Sequence, residues 1–202
     1  MKNAAATRAA AESSVANMFN GDSMMKTALQ IALATVVSVG VACAQPASPP
    51  AEASVTIGGK SITIKYSAPS VRGREGKLFG PAGKISQDPH YPVWRAGANA
   101  ATALHTDANL DIAGLKVPAG DYTLFVNVQD PNNWQLIVSK ATGEWGLRYD
   151  PAQDLGHRSM TMSKPPMMVE TLKYTLTDEG GNRGRLELAW EDHVASVPFT
   201  VK

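Results

Sequence analysis

The sequence predicts an all-β fold, an antiparallel β-sandwich or jelly-roll-like domain behind an N-terminal signal peptide. Three observations carry this. Short segments of alternating apolar and polar residues recur after Ser54, turn-forming clusters of Gly, Pro, Asn and Asp separate them, and no long amphipathic helical pattern occurs. About ten strands are predicted between residues 54 and 202.

The chain has 202 residues, and its start is read as a processed terminus. From Met24-Met25-Lys26 a basic start leads into the apolar run 27–41, too short and too rich in small residues for a membrane span, and ends in Ala42-Cys43-Ala44. This is a signal-peptidase pattern, so cleavage is expected before Gln45 and the location is periplasmic or secreted. Translation is expected to start at Met24 or Met25, and lipidation at Cys43 is the runner-up, disfavoured by Gly40. The predicted organisation is 1–44 upstream segment and signal, 45–53 a Pro/Ala lead-in with nothing to bury, and 54–202 one β domain.

Loss of residues 1–44 removes Lys2, Arg8 and Lys26 from 19 basic residues and Glu12 and Asp22 from 18 acidic ones, leaving the two signs in equal number. Such a chain has no electrostatic case for nucleic acid, and no integral span remains in the mature form. The only cysteine leaves with the signal, so neither a disulfide framework nor a thiol nucleophile is expected.

Residues 54–57 and 61–66 alternate around Gly58-Gly59, the pattern of a hairpin with a primed two-residue turn. Residues 68–90 contain Pro69, Pro81 and Pro89 and several basic groups, and read as a long loop. Strands are expected at 101–106, 110–112 and 115–117, then in a central apolar hairpin, 122–128 and 134–139, across Asp130-Pro131-Asn132-Asn133. Residues 141–157 read as irregular. Strands resume at 159–162, 168–177, 184–190 and 194–201.

One stretch concentrates polar chemistry. Val93-Trp94-Arg95-Ala96-Gly97-Ala98-Asn99 sets an aromatic and a guanidinium at a strand end before a bend, where Gly97 supplies positive φ or close approach and Asn99 tolerates a left-handed conformation. The ligand-binding candidates are Arg72, Arg74, Trp94, Arg95 and Asn99, suited to a small anionic or polyhydroxylated ligand, carbohydrate included. A second reading is an extracytoplasmic hydrolase using Asp150, Asp154, His105 or His157 as acid or base. A third is structural, with Arg95 paired to a carboxylate such as Asp150 or Glu170. The four histidines, His90, His105, His157 and His193, lack metal-ligand spacing, so no metal and no cofactor is predicted. Solvated strand ends account for His105 with Asp107 and for Glu191-Asp192-His193. Trp94, Trp134, Trp145 and Trp190 are candidate sugar-stacking aromatics, with Trp134 and Trp190 assigned to the core.

Tyr66-Ser67-Ala68-Pro69, Arg72-Gly73-Arg74, Phe79-Gly80, the Val93–Asn99 stretch with Thr102, and Pro118-Ala119-Gly120-Asp121-Tyr122-Thr123-Leu124-Phe125 together resemble the domain of unknown function 2911 family of bacterial secreted proteins. The likeness runs from about Val55 to the C-terminus. It implies a β-rich extracytoplasmic domain and no particular activity.

Overall fold

A computed structural model describes residues 48–143 and 145–202. The expected signal segment and cleavage point, Cys43 and residues 45–47 lie outside the described residues.

Among the described residues thirteen strands form two antiparallel sheets. They are β1 (Pro50–Ile57), β2 (Lys60–Ser67), β3 (Val93–Trp94), β4 (Thr102–Thr106), β5 (Leu110–Ile112), β6 (Leu115–Val117) and β7 (Gly120–Asn127), followed by β8 (Gln135–Ser139), β9 (Asp154–Ser159), β10 (Thr161–Ser163), β11 (Val169–Gly180), β12 (Arg183–Glu191) and β13 (His193–Val201). One sheet runs β1-β2-β4-β7-β8-β9 with β3 also on β7; the other runs β11-β12-β13-β5-β6 with β10 also on β13. Edge strand β1 contacts β11, and β9 contacts β6, so the sheets face each other as a β-sandwich.

Inward-facing side chains alternate with outward ones. In β2, Ile62, Ile64 and Tyr66 are buried, and in β12 Leu186, Leu188 and Trp190 are. At one end the half-buried Phe79 packs on the buried Trp94, Trp134 and Trp190 in an aromatic cluster, with the Trp94 and Trp190 rings stacked at 5.7 Å. Strand β7 is buried on both faces. Leu124 and Val126 point into the core, while Phe125 and its β8 neighbour Ile137 are buried outside the core cluster. The 140–153 segment covers this outer patch, Tyr149 meeting Phe125 edge to face at 4.9 Å.

The first hairpin forms as expected, with Gly58 and Gly59 at φ +58° and +76°. Two boundaries differ. The expected lead-in 45–53 becomes strand at Pro50, because Ala51 and Ala53 continue the alternation of Val55 and pack against the core, and a proline lacking an N–H is accommodated at the start of an edge strand. Within the segment read as irregular, Asp154–Ser159 is strand β9, hydrogen-bonded to β8.

The bend lies between β3 and β4, which share the same edge of β7. Trp94 sits opposite Val126 and Thr102 opposite Leu124, so residues 95–101 form a long bulge opposite Phe125. Positive φ falls on Ala96 (50°) and Asn99 (58°). Gly97 serves the bend by close approach: a Cβ there would stand 3.0 Å from Thr102 Oγ1 and 3.3 Å from the Ser67 carbonyl. Three bonds fix the bulge. The Ala96 carbonyl accepts from the Thr102 hydroxyl (3.1 Å) and from the Tyr174 hydroxyl of the opposite sheet (3.0 Å), and the Ala98 N–H donates to the Ser67 carbonyl (3.1 Å). Burial pushes the Tyr174 phenol well above its ordinary pKa, so it remains a donor.

Candidate functional site

The Arg95 guanidinium is engaged within the chain. Its Nη2 lies 3.3 Å from Asp88 Oδ2, the side chains being 19% and 6% exposed, and its Nη1 donates to the Asn99 carbonyl at 3.3 Å. Its Nε is buried without a partner among the described residues. The acids considered as partners from sequence do other work. Asp150 accepts the Ala152 N–H at 3.0 Å, capping a 3-10 turn, and Glu170 accepts the Arg72 N–H at 3.0 Å. Asp88 belongs to a loop with no periodic pattern, and the one signal for it was the turn-forming Asp88-Pro89 pair.

The remaining predicted ligand-binding residues are dispersed. Trp94, 3% exposed, belongs to the aromatic cluster. Arg74 closes its own loop, Nε donating to the Val71 carbonyl (2.8 Å) and Nη2 to that of Ser70 (2.7 Å). Arg72 is exposed, with a left-handed φ of 52°. The Asn99 amide nitrogen donates to the Ser48 carbonyl at 3.4 Å.

Beside the bend a cavity of about 590 Å³ opens among His90, Leu147, Arg148, Tyr149, Asp150 and Gln153. Backbone contacts tie it to the bulge. Ala100 and Trp145 form an isolated β-bridge, the Gly146 N–H donates to the Asn99 carbonyl (3.2 Å), and a Cβ on Gly146 would fall 2.5 Å from Arg95 Cδ. From the other side, the His90 N–H donates to Asp88 Oδ1 (3.1 Å) and its Nε2 bonds the Leu147 carbonyl (2.9 Å). Arg95, Asp88, His90 and Leu147 are therefore one connected unit.

Behind it the Asp154 carboxylate, 8% exposed, accepts at Oδ2 from the Tyr149 hydroxyl (2.6 Å) and meets His157 Nε2 there at 2.8 Å. Its Oδ1 is buried without a partner among the described residues. Burial and this carboxylate push the Tyr149 phenol far up, so it stays a neutral donor. His105 stands apart, on β4, between Asp121 (2.8 Å) and Asp107 (3.1 Å). Of the hydrolase set, then, Asp154 and His157 meet each other, and His105 has partners of its own.

Glu191, Asp192 and His193 place their ligand-type atoms within 4.8 Å of one another. Protein groups occupy them: the Gly76 N–H on Glu191, and Lys164 Nζ at 3.9 Å on Asp192. His193 Nδ1 lies 2.6 Å from Asp192 Oδ1 but off the hydrogen-bonding direction, and its ring stacks on Trp134. Among the described residues no helix is long and apolar enough to cross a membrane.

No curated protein and no solved structure matches the chain. A family model described as a protein of unknown function matches residues 48–199, which span both sheets, the bend and the cavity. On that match the chain belongs to the domain of unknown function 2911 family (DUF2911).

Proposed function

We propose that this chain is a binding module whose ligand occupies the cavity built against the Arg95 bend, with the Arg95–Asp88 pair acting as scaffold for it. One observation carries the reading. The loop before the bend and the segment 141–153 are bonded to each other through His90 and Leu147, and these two residues with Tyr149 and Asp150 line a concave space of about 590 Å³. That volume falls within the roughly 300–1,000 Å³ of small-ligand sites, and its mixed apolar and polar wall suits recognition of a small molecule. Three of the five predicted ligand residues contribute indirectly, Arg72 and Arg74 lying outside the cavity lining: Arg95 and Asn99 hold the wall at Gly146, and Trp94 anchors the strand that leads into the bend.

The test is ligand-observed NMR on the mature chain with a panel of small polar metabolites, repeated on Ala141→Trp, which fills a lining position. Binding that disappears in the filled variant is the expected result. Binding that survives it places the ligand elsewhere and defeats the reading.

A hydrolase remains the second reading, favoured by the Tyr149–Asp154–His157 cluster with its unpartnered buried oxygen. On it, His157→Ala abolishes any turnover found with ester or glycoside probes.

A further inference from the structure

We infer that the cavity takes a neutral pyranose sugar, stacked on Trp145 and hydrogen-bonded by Asp150, Gln153 and His90. The inference rests on the reading of this cavity as the ligand site and adds the chemical class of the ligand.

Charge comes first. The cavity wall carries one guanidinium, Arg148, and one carboxylate, Asp150, so its formal charges cancel. Arg148 is not a free cation, and Arg95 next door is held by Asp88 at 3.3 Å. A phosphate or carboxylate ligand would enter without an uncommitted cation to offset its desolvation, whereas a neutral ligand meets no such penalty.

The hydrogen-bonding groups come next. The Leu147 carbonyl can only accept, so in the neutral His90 ring Nε2 carries the proton and Nδ1 is left as an acceptor. Asp150 commits Oδ1 to the Ala152 N–H, and its carboxylate is exposed and acceptor-only. Gln153 adds a side-chain amide, donor and acceptor together, at an exposed position. Acceptors and an amide on one wall match a ring of hydroxyl groups, each of which both donates and accepts.

The stacking surface is Trp145. The other three tryptophans are buried at 2–5% exposure, while Trp145 is 56% exposed. It begins the tight turn Trp145-Gly146-Leu147-Arg148, closed by the Arg148 N–H on the Trp145 carbonyl (2.8 Å), and Leu147 and Arg148 of that turn line the cavity. The Ala100 bridge and the Gly146 N–H on the Asn99 carbonyl fix the backbone of Trp145 next to the lining residues Leu147 and Arg148. A flat, apolar face beside a polar wall is the complement of a pyranose, whose C–H face is apolar and whose edge is hydroxylated.

Trp145 also supplies the readout, because iodide quenches an exposed indole far more than buried ones. The mature chain is titrated with neutral mono- and disaccharides and, separately, with hexose phosphates and uronic acids, following iodide quenching and calorimetric heat. Expected is protection of one quenchable tryptophan by a neutral sugar, with binding weakened at least tenfold in Trp145→Ala and in Gln153→Ala and unchanged in Met167→Ala, an exposed position elsewhere. Circular dichroism confirms that the variants fold. If the charged sugars bind and the neutral ones do not, the class is wrong while the cavity stands as a ligand site. Neutral sugar bound equally well by Trp145→Ala overturns the stacking assignment. If no probe binds, and the metabolite panel also gives nothing, the reading of the cavity as a ligand site falls with this inference.

Discussion

Replacing Arg95 by alanine leaves the Asp88 carboxylate, 6% exposed, without its guanidinium, retaining the His90 N–H on Oδ1. Removing one member of a buried ion pair costs about 3–5 kcal/mol, because the remaining charge is desolvated and unpaired. Arg95 is 19% exposed, so water can follow into part of the vacated space, and the lower end, about 3 kcal/mol, is the expected loss. For a domain of this size each kcal/mol lowers Tm by roughly 2–4 °C, which gives a drop of about 6–12 °C. Denaturant melts of Arg95→Ala, Asp88→Ala and the double variant measure it. The double variant should lose at least about 1 kcal/mol less than the sum of the singles, since removing both charges also removes the unpaired one. Arg95→Lys should recover only part, as an ammonium reaches Asp88 or the Asn99 carbonyl but not both with a fixed fork. A loss under about 1 kcal/mol in Arg95→Ala, with additive singles, would put the pair in the class of surface ion pairs and refute its role as scaffold.

Gly146→Ala should destabilise by about 1–3 kcal/mol in the same melts, because the new Cβ meets Arg95 Cδ at 2.5 Å and the Asn99 carbonyl at 2.6 Å, and a backbone atom cannot move aside as a side chain can. Tyr174→Phe should cost about 1 kcal/mol, the Ala96 carbonyl keeping its Thr102 bond. Since burial raises the Tyr174 pKa, the wild type gains stability that is complete below the unfolded phenol value near 10 and falls away as pH rises above it; alkaline melts of Tyr174→Phe should show a shallower decline. The His105 imidazole is raised by its bond to Asp121 and then by that to Asp107, so the stabilisation it confers is complete below pH about 6.5 and lost as pH climbs through the folded value. An NMR titration should find it above 6.5 and find it lowered in Asp121→Asn; a normal value in the wild type would contradict the contact.

The parts legible in sequence were those decided within a few residues. Gly58-Gly59 fixes the first hairpin, and the alternation of Ile62, Ile64 and Tyr66 fixes which face is buried. The opposite sheet is legible for the same reason, the bulky Leu186, Leu188 and Trp190 alternating with the less buried Arg185, Glu187 and Ala189 up to the turn before His193. Phe125 and Ile137 conceal more. In a strand buried on both faces the alternation vanishes into the apolar run read as a central hairpin, but nothing local told that Tyr149 would supply the cover of its outer face.

The site illustrates the harder limit. Arg95 was identifiable as a residue needing a partner, since a guanidinium next to a buried tryptophan must be satisfied. Which acid satisfies it depends on how the 68–92 loop returns to β3, and that path is set by contacts with residues far along the chain, such as His90 on Leu147 and Val71 on Glu170. The same closure that neutralises Arg95 shapes the cavity: residues 95–101 bulge away from β7 opposite Phe125, and the displaced backbone pairs instead through Ala100 with Trp145 and through the Asn99 carbonyl with the Gly146 N–H. The bulge therefore exchanges a run of strand pairing for a wall, and under the proposed binding function the residues exposed on that wall, more than the guanidinium at its root, select the ligand.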